Sequence, residues 1–148
     1  MIVVSFIVGL HMVIIGHYFR IGAMFTAEKS FHHLVQYEKA KTHKLITTGV
    51  YAWVRHPSYF GWMIWAVGTQ FVLYNPISII LFFIAGVLFF RNRIPFEEFK
   101  LSQFFGQEYE DYAFRTPIYI PFVNSYLPYG AVRVSKEKKE TNKETKKE

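Results

Sequence analysis

Cysteine is absent from the 148 residues of this chain. Without cysteine there is no disulfide framework, no thiolate metal site and no cysteine nucleophile. Ser58 has no nucleophile-elbow sequence around it, so a serine triad is not supported. His32, His33 and His43 lack a zinc-type spacing, which leaves a metal site as a weak alternative. The basic residues are scattered at the ends of apolar runs, and no nucleic-acid partner is predicted.

Charge is missing from two long stretches. Residues 2–19 are apolar apart from one serine and two histidines, and residues 59–90 carry no formal charge. A helix needs roughly 17–25 such residues to cross a membrane. Asn75-Pro76 favours a turn, so we predict an antiparallel hairpin of two helices, 58–74 and 76–90. A single kinked helix would be roughly 48 Å long and would overshoot the bilayer.

The segment between these stretches, residues 31–55, is too polar to lie in lipid. Its excess of lysine and arginine predicts that it lies on the cytoplasmic face of the membrane. A hairpin returns the chain to the face that it left. Arg55 and His56 are therefore expected beside Arg91 and Arg93, which follow the second helix of the hairpin.

After the hairpin, the sequence predicts short amphipathic helices at the same face. Pro95 suits the first position of a new helix, with Glu97 and Glu98 in its first turn. Gly106 interrupts this helix, and residues 108–115 form a second one that ends before Thr116-Pro117. The predicted fold is an all-α, polytopic integral membrane protein with about three membrane helices, including the hairpin. Cytosolic amphipathic helices form a pocket, and residues 135–148 are expected to be a disordered Lys/Glu tail.

The run from Gly49 to Gly61 combines aromatic rings, a cation, a histidine and a proline immediately before an apolar helix. The residue before a proline is disfavoured in the helical region, so His56 is expected to be extended. Pro57 has no N–H to leave unpaired and suits the first turn of the helix. An interfacial aromatic belt with a basic anchor explains this run about as well as a ligand site does.

The expected same-face geometry gathers groups of complementary chemistry. Arginine presents a rigid fork for a carboxylate, and tyrosine faces can hold a cation or a heterocycle. Such a site beside lipid suits a substrate that is half polar and half hydrocarbon. Positive-inside anchoring and helix-start charges are the structural alternatives for the arginines and glutamates. The gathered residues are Gln36, His43, Tyr51, His56, Tyr59, Arg93 and Glu97.

Several motifs resemble those of the isoprenylcysteine carboxyl methyltransferases, over roughly residues 22–122. The first is the run Thr-His-Lys-Leu-Ile-Thr-Thr-Gly-Val-Tyr-Ala-Trp-Val-Arg-His-Pro-Ser-Tyr-Phe-Gly-Trp at 42–62. The others are Phe-Phe-Arg-Asn-Arg at 89–93, the two glutamates at 97–98, and Phe-Phe-Gly-Gln-Glu-Tyr at 104–109. Phospholipid methyltransferases and sterol reductases share only the Arg-His-Pro-Ser-Tyr core.

The resemblance implies transfer of a methyl group from S-adenosylmethionine to the carboxylate of a C-terminal prenylated cysteine. It implies an enzyme of the endoplasmic reticulum membrane whose cofactor pocket faces the cytosol and whose substrates are prenylated CaaX-type proteins. No catalytic acid or base is implied, and Arg93 would bind the substrate. The implied cofactor contacts are Gln36, His43, Lys44, Leu45, Ile46, Tyr51, His56, Pro57, Ser58, Tyr59 and Glu97.

The resemblance also bears on the extent of the domain. The eukaryotic family has membrane helices before the matched region, so residues 1–134 are expected to form a methyltransferase domain that lacks N-terminal helices. Three alternatives stay open at this point. They are a phospholipid N-methyltransferase, a sterol reductase that uses a nicotinamide cofactor, and a membrane fragment without catalytic activity.

Overall fold

The computed structural model describes residues 1–28 and 44–126, and within them all regular secondary structure is helical. Helix α1 spans Ile2–Ala27, and a short 3₁₀ turn spans Gly49–Ala52. Helix α2 spans Pro57–Val72, α3 spans Pro76–Phe105 and α4 spans Gln107–Arg115. The predicted all-α class is therefore confirmed for the part of the chain that the structure describes.

Helices α1 and α2 pack against each other, antiparallel, at almost backbone contact. A Cβ atom on Gly61 would lie 2.5 Å from the carbonyl oxygen of Gly16. One on Gly9 would lie 2.7 Å from the carbonyl oxygen of Gly68. Small residues allow this approach in membrane helices, where packing replaces the hydrophobic effect as the source of association. Gly61 and Gly68 of α2 therefore permit the close contact, with Gly16 and Gly9 of α1 as their partners.

Helices α2 and α3 form the predicted hairpin. Asn75 caps α3 by accepting a hydrogen bond from the backbone N–H of Ser78 at 3.1 Å, and Pro76 occupies the first turn. The alternative of one kinked helix is thereby excluded. The returning helix brings Glu98 within 2.9 Å of Arg55, so two segments far apart in sequence become neighbours, as expected.

The prediction that Pro95 starts a new helix is wrong, because α3 continues through it to Phe105. An internal proline removes a helical hydrogen bond and costs about 3 kcal/mol. The burial of residues before and after Pro95 opposes a break in the helix at this position. Phe90, Ile94 and Glu98 recur every four residues, and all are almost fully buried. Breaking the helix at Pro95 would move this stripe out of register, so Glu97 and Glu98 are not the helix-start charges that we expected.

Gly106 ends α3 and starts α4 with φ 54°, a conformation that glycine adopts without strain. The interruption predicted at Gly106 is confirmed, and so is the short helix after it. Beyond α4 the chain runs without helix through residue 126. Ile118 and Ile120 there join Phe90 and Ile94 in the main hydrophobic cluster. This segment covers the end of the hairpin where α2 begins.

Two described helices, α1 and α3, are long and apolar enough to cross a membrane. Only 11% of the apolar stretch of α1 and 17% of the apolar stretch of α3 are buried, so both helices present apolar surface outward. Helix α2 has 16 residues, fewer than the roughly 20 of a full span. The expected count of about three membrane helices thus rests on two full-length helices and a shorter one held between them.

Candidate active site

A cavity of about 620 Å³ opens between the start of α2 and residues 85–105 of α3, and α4 and residues 44–51 also line it. This volume falls within the usual range of small-molecule sites, about 300–1,000 Å³. Toward the hairpin turn, α3 contributes Ala85, Phe89 and Phe90 to the wall. Toward α4 it contributes the carboxylate of Glu97, followed by Leu101 and Phe105. The cavity therefore joins an apolar wall to a polar one.

Most of the residues that the resemblance assigned to a cofactor lie on this one cavity. Gln36 and His43 fall outside the described residues. Arg93 is not part of the lining, but its Nε atom lies 3.3 Å from the Tyr59 hydroxyl and 3.9 Å from Glu97 Oε2. The members that line the cavity are Lys44, Leu45, Ile46, Tyr51, His56, Pro57, Ser58, Tyr59 and Glu97.

Glu97 is the carboxylate that faces the cavity. The Tyr59 hydroxyl donates a hydrogen bond to its Oε2 at 2.6 Å, and His56 Nδ1 lies 3.8 Å from its Oε1. The His56 and Tyr59 rings stack with centroids 5.6 Å apart and planes 9° from parallel. A quarter of the Glu97 side chain stays exposed, which leaves lone pairs available to a ligand. The protein partners of Glu97 therefore fix its orientation but leave part of its hydrogen-bonding capacity unused.

Glu98 occupies the opposite environment, with none of its surface exposed. Arg55 Nη1 contacts its Oε1 at 2.9 Å, and His56 Nε2 lies 3.3 Å from the same atom. Its Oε2 accepts hydrogen bonds from the Ser125 hydroxyl and, at 2.8 Å, from the backbone N–H of Tyr126. A buried charge of this kind is tolerable only when it is paired and hydrogen-bonded. Glu98 lies outside the cavity lining, and Arg55, which does line the cavity, anchors the wall to it.

The interfacial-anchor interpretation of the run 49–61 is therefore wrong for Arg55, which is 4% exposed and ion-paired. It suits Trp53, which is 73% exposed. Arg55 also donates its backbone N–H to the carbonyl oxygen of Pro117 at 3.0 Å. The same residue thereby ties the segment before α2 both to α3 and to the covering segment after α4.

Three tyrosines form the wall outside the membrane-spanning helices. The Tyr112 hydroxyl donates a hydrogen bond to the carbonyl oxygen of Tyr51 at 2.7 Å. Burial, with the nearby charge of Glu97, raises the pKa of Tyr51 to about 12. Burial likewise raises the pKa of Tyr109 and of Tyr112 above the ordinary range. All three phenols are neutral near pH 7, where they add uncharged aromatic surface to the wall.

The sequence analysis missed several residues of the lining. Arg20 of α1 lines the cavity and lies 3.5 Å from the Ser58 hydroxyl. A single cation within a long apolar helix is a functional signal that could have identified it. The aromatic residues of α4 could not be placed, because their position depends on the turn at Gly106. The missed lining residues are Arg20, Ala27, Arg55, Trp62, Ala85, Phe89, Phe90, Leu101, Phe105, Tyr109 and Tyr112.

The family profile and the most similar proteins that we compared all belong to one group of methyltransferases. The profile of the isoprenylcysteine carboxyl methyltransferase (ICMT) family matches residues 8–103. Over 115 residues the chain is 51% identical to the mouse protein-S-isoprenylcysteine O-methyltransferase, covering 78% of this chain and 41% of that protein. It is 52% identical over 116 residues to protein-S-isoprenylcysteine O-methyltransferase B of Arabidopsis thaliana, covering 78% of this chain and 59% of that protein.

The fold has a solved counterpart in the eukaryotic intramembrane Ras methyltransferase ICMT, whose structure was determined without a monobody. The TM-score is 0.76 at 47% sequence identity, with 82% of this chain and 42% of that chain covered. The chain thus spans about two fifths of the mouse protein and of this structure. None of these comparisons supports the phospholipid methyltransferase or the sterol reductase alternative.

Proposed function

The chain belongs to the isoprenylcysteine carboxyl methyltransferase family, and we propose that it methylates the C-terminal carboxylate of prenylated cysteine with S-adenosylmethionine as the donor. One observation carries the proposal: a single cavity joins the Glu97 cluster to an apolar wall on a membrane-crossing helix. Such a cavity suits a polar methyl donor beside Glu97 and the isoprenoid of a lipid-linked substrate against the apolar wall. The chain spans only part of the length of these relatives. Methyl transfer by this chain is therefore a proposal.

The chemistry of the cavity wall fits the proposed methyl donor. Glu97 offers a carboxylate that can accept hydrogen bonds from hydroxyl or ammonium groups. Tyr51 and Tyr59 offer aromatic faces that attract a cation such as a sulfonium. When bound, S-adenosylmethionine supplies an already activated methyl group. Lys44, Leu45, Ile46 and residues 56–59 complete the proposed donor site, with Gln36 and His43 as further members by resemblance.

The substrate carboxylate needs a cation but no general base. It is ionised near pH 7 and already nucleophilic, so positioning and partial loss of water suffice. Arg93 remains the proposed ligand; its guanidinium is oriented by Tyr59 and Glu97. Arg20, which lines the cavity itself, adds a second cation from α1. The protein's part in the reaction is therefore to hold a carboxylate in line while keeping water away.

The apolar side of the cavity is the proposed path of the prenyl group. Trp62 of α2 lines the cavity together with Ala85 and Phe89 of α3, and 57% of Phe89 is exposed. A chain lying in the bilayer could enter between these helices without being extracted into water. The basic residues at the polar end favour a cytosolic orientation, and the family resemblance favours the endoplasmic reticulum membrane.

Methyl incorporation into a farnesylcysteine analogue tests the proposal, with membranes that contain the full chain and labelled S-adenosylmethionine. We expect Glu97→Ala and Arg93→Ala to abolish incorporation. Arg91→Ala and Glu108→Ala are matched controls, because both residues are exposed and lie outside the cavity. Unchanged turnover in both the Glu97 and the Arg93 variants would end the assignment of their roles. A preference for a nicotinamide nucleotide over S-adenosylmethionine would support a reductase instead.

A further inference from the structure

The apolar end of the cavity reaches the outer surface of the protein at Ala85. Of the residues that α2 and α3 contribute to the lining, Trp62 and Ala85 lie nearest the hairpin turn. Ala85 is exposed, and so is Phe89, which lines the cavity one turn further along α3. Both belong to the uncharged part of a helix that is long and apolar enough to cross a membrane. At this end the cavity therefore opens sideways, toward lipid.

The sizes of neighbouring side chains give this opening its shape. Of the described α3 residues that line the cavity, Ala85 alone has a small side chain. Residues three and four positions away lie on the same face of a helix. Here they include Phe82 and Phe89, which are 41% and 57% exposed. Ala85 therefore leaves a notch between two large rings on the outer side of α3.

The packing of the hairpin fixes the position of the notch. Gly86, next to Ala85, is buried, and a Cβ atom on it would collide with the side chain of Met63. The half-buried ring of Trp62 packs edge-on against Phe90, with centroids 5.7 Å apart and planes at 78°. Helices α2 and α3 thus meet at Gly86, while the adjacent position borders the cavity. The opening is therefore part of the fold.

The size of the cavity implies that a long ligand extends through this opening. A volume of about 620 Å³ is typical of a site for one small molecule. The proposed reaction requires S-adenosylmethionine and a prenylated cysteine at the same time. Glu97 and Ala85 are twelve positions apart in α3, which corresponds to about 18 Å along the helix. A prenyl group that starts beside the donor thus runs toward Ala85, and the end of a long one leaves the cavity there.

We propose that Ala85 forms the opening through which the end of the prenyl group passes into the bilayer, and that its small side chain determines which prenyl lengths are accepted. This inference rests on the proposed function and adds one specificity-determining residue to it. A long prenyl group needs the opening, whereas a short one ends inside the cavity. The size of the side chain at position 85 therefore affects long substrates more than short ones.

The first test is methyl transfer to geranyl-, farnesyl- and geranylgeranylcysteine analogues by the full chain in lipid nanodiscs. Ala85→Phe fills the notch, and we expect kcat/KM for the geranylgeranyl analogue to fall at least about tenfold relative to the geranyl analogue. The affinity for S-adenosylmethionine in titration calorimetry should stay unchanged, which also shows that the variant is folded. Ile84→Phe is the matched control, because it adds a ring at an exposed position outside the cavity and should leave the ratio unchanged.

The second test locates the prenyl group by thiol labelling, since the chain contains no cysteine of its own. Ala85→Cys and Ile84→Cys are treated with a lipid-soluble maleimide in the same nanodiscs. The geranylgeranylcysteine analogue should slow labelling at position 85 and leave position 84 unchanged. The geranylcysteine analogue should protect position 85 less, because its prenyl group ends before the opening.

Other results would overturn the proposal. Equal losses of kcat/KM for all three analogues in Ala85→Phe would place the defect at the reacting end of the substrate. An unchanged ratio between the analogues would show that the side chain at position 85 does not select prenyl length. Equal labelling of Ala85→Cys with and without the geranylgeranylcysteine analogue would show that the prenyl group does not pass Ala85. Absence of methyl transfer to every analogue by the wild type would overturn the proposed function as well, which distinguishes the two failures.

Discussion

The two sides of helix α2 are built in opposite ways. On the side of α1, Gly61 and Gly68 remove side chains so that the two backbones meet. On the side of α3, Tyr59 and Trp62 carry large rings that line a cavity. The comparison shows how a helix of 16 residues can support a ligand site. Close packing against α1 holds α2 in place, so its other side can border a cavity instead of packing fully against α3.

The largest effect is expected from breaking the closed side with Gly61→Val. A Cβ there meets the backbone of Gly16 and Arg20, which cannot turn aside as a flexible side chain can. We expect a loss of about 3 kcal/mol or more in stability, or no folded protein. Gly22→Ala is the comparison, because the three atoms nearest its Cβ all belong to the Val50 side chain, which can shift where a backbone cannot, and we expect a smaller loss of stability. Thermal unfolding in detergent measures both, and equal midpoints for wild type and Gly61→Val would contradict this description.

The open side depends on the buried ion pair, so Glu98→Ala should have the next largest effect. The change leaves Arg55 buried without its carboxylate and frees the covering segment at Ser125. Removing one partner of a buried pair costs about 3–5 kcal/mol. Glu108→Ala, at an exposed position, should leave the unfolding midpoint unchanged. If Glu98→Ala were as stable as wild type, Glu98 would not hold the two segments together.

Glu97→Gln sharpens the comparison, because it changes the neighbouring residue on the cavity side. Its side chain is one quarter exposed, so we expect stability to change by less than about 1 kcal/mol. Donor affinity should fall about tenfold to a hundredfold, as when a hydrogen bond to a charged group is lost. Titration calorimetry and thermal unfolding on the same sample separate the two effects. Reduced stability with unchanged donor affinity would show that Glu97 has the structural role that we assign to Glu98 and no role in donor binding.

The smallest effect concerns alkaline pH. The pKa of Tyr51 is raised from 10.0 to about 12, so the folded state favours the neutral phenol. Its contribution to stability is complete below pH 10 and is lost as pH rises from 10 toward 12. We expect ionisation of Tyr51 to account for a loss of about 1 kcal/mol in the free energy of unfolding at pH 11. Unfolding midpoints between pH 8 and 11 measure this, and Tyr51→Phe should show a shallower decline. An equal decline in the variant would remove Tyr51 as a cause.

Local sequence signals predicted much of the fold. Uncharged length predicted the helices, Asn75-Pro76 predicted the hairpin, and Gly106 predicted the break before α4. The same-face argument also predicted that His56, Tyr59 and Glu97 would lie together. These features follow from properties of short segments or from the return of a hairpin, so one sequence suffices for them.

The features that were missed depend on tertiary packing. Pro95 looked like a helix start because its local cost is clear, whereas the burial of Ile94 and Glu98 that opposes it is not visible locally. Arg55 looked like a surface anchor because its partner lies 43 positions away in the chain. The almost complete burial of Tyr109 likewise appears only after its neighbours have been placed.

Protection of introduced cysteines by the methyl donor tests the central claim most directly, since the chain contains no cysteine of its own. Ser58→Cys and Leu101→Cys place thiols on the α2 and α3 walls of the cavity, and Trp53→Cys places one on the exposed surface. We predict that S-adenosylmethionine slows thiol labelling at positions 58 and 101 and leaves position 53 unchanged. Unchanged labelling at both cavity positions, in variants that calorimetry shows to bind the donor, would place the donor elsewhere and contradict the account.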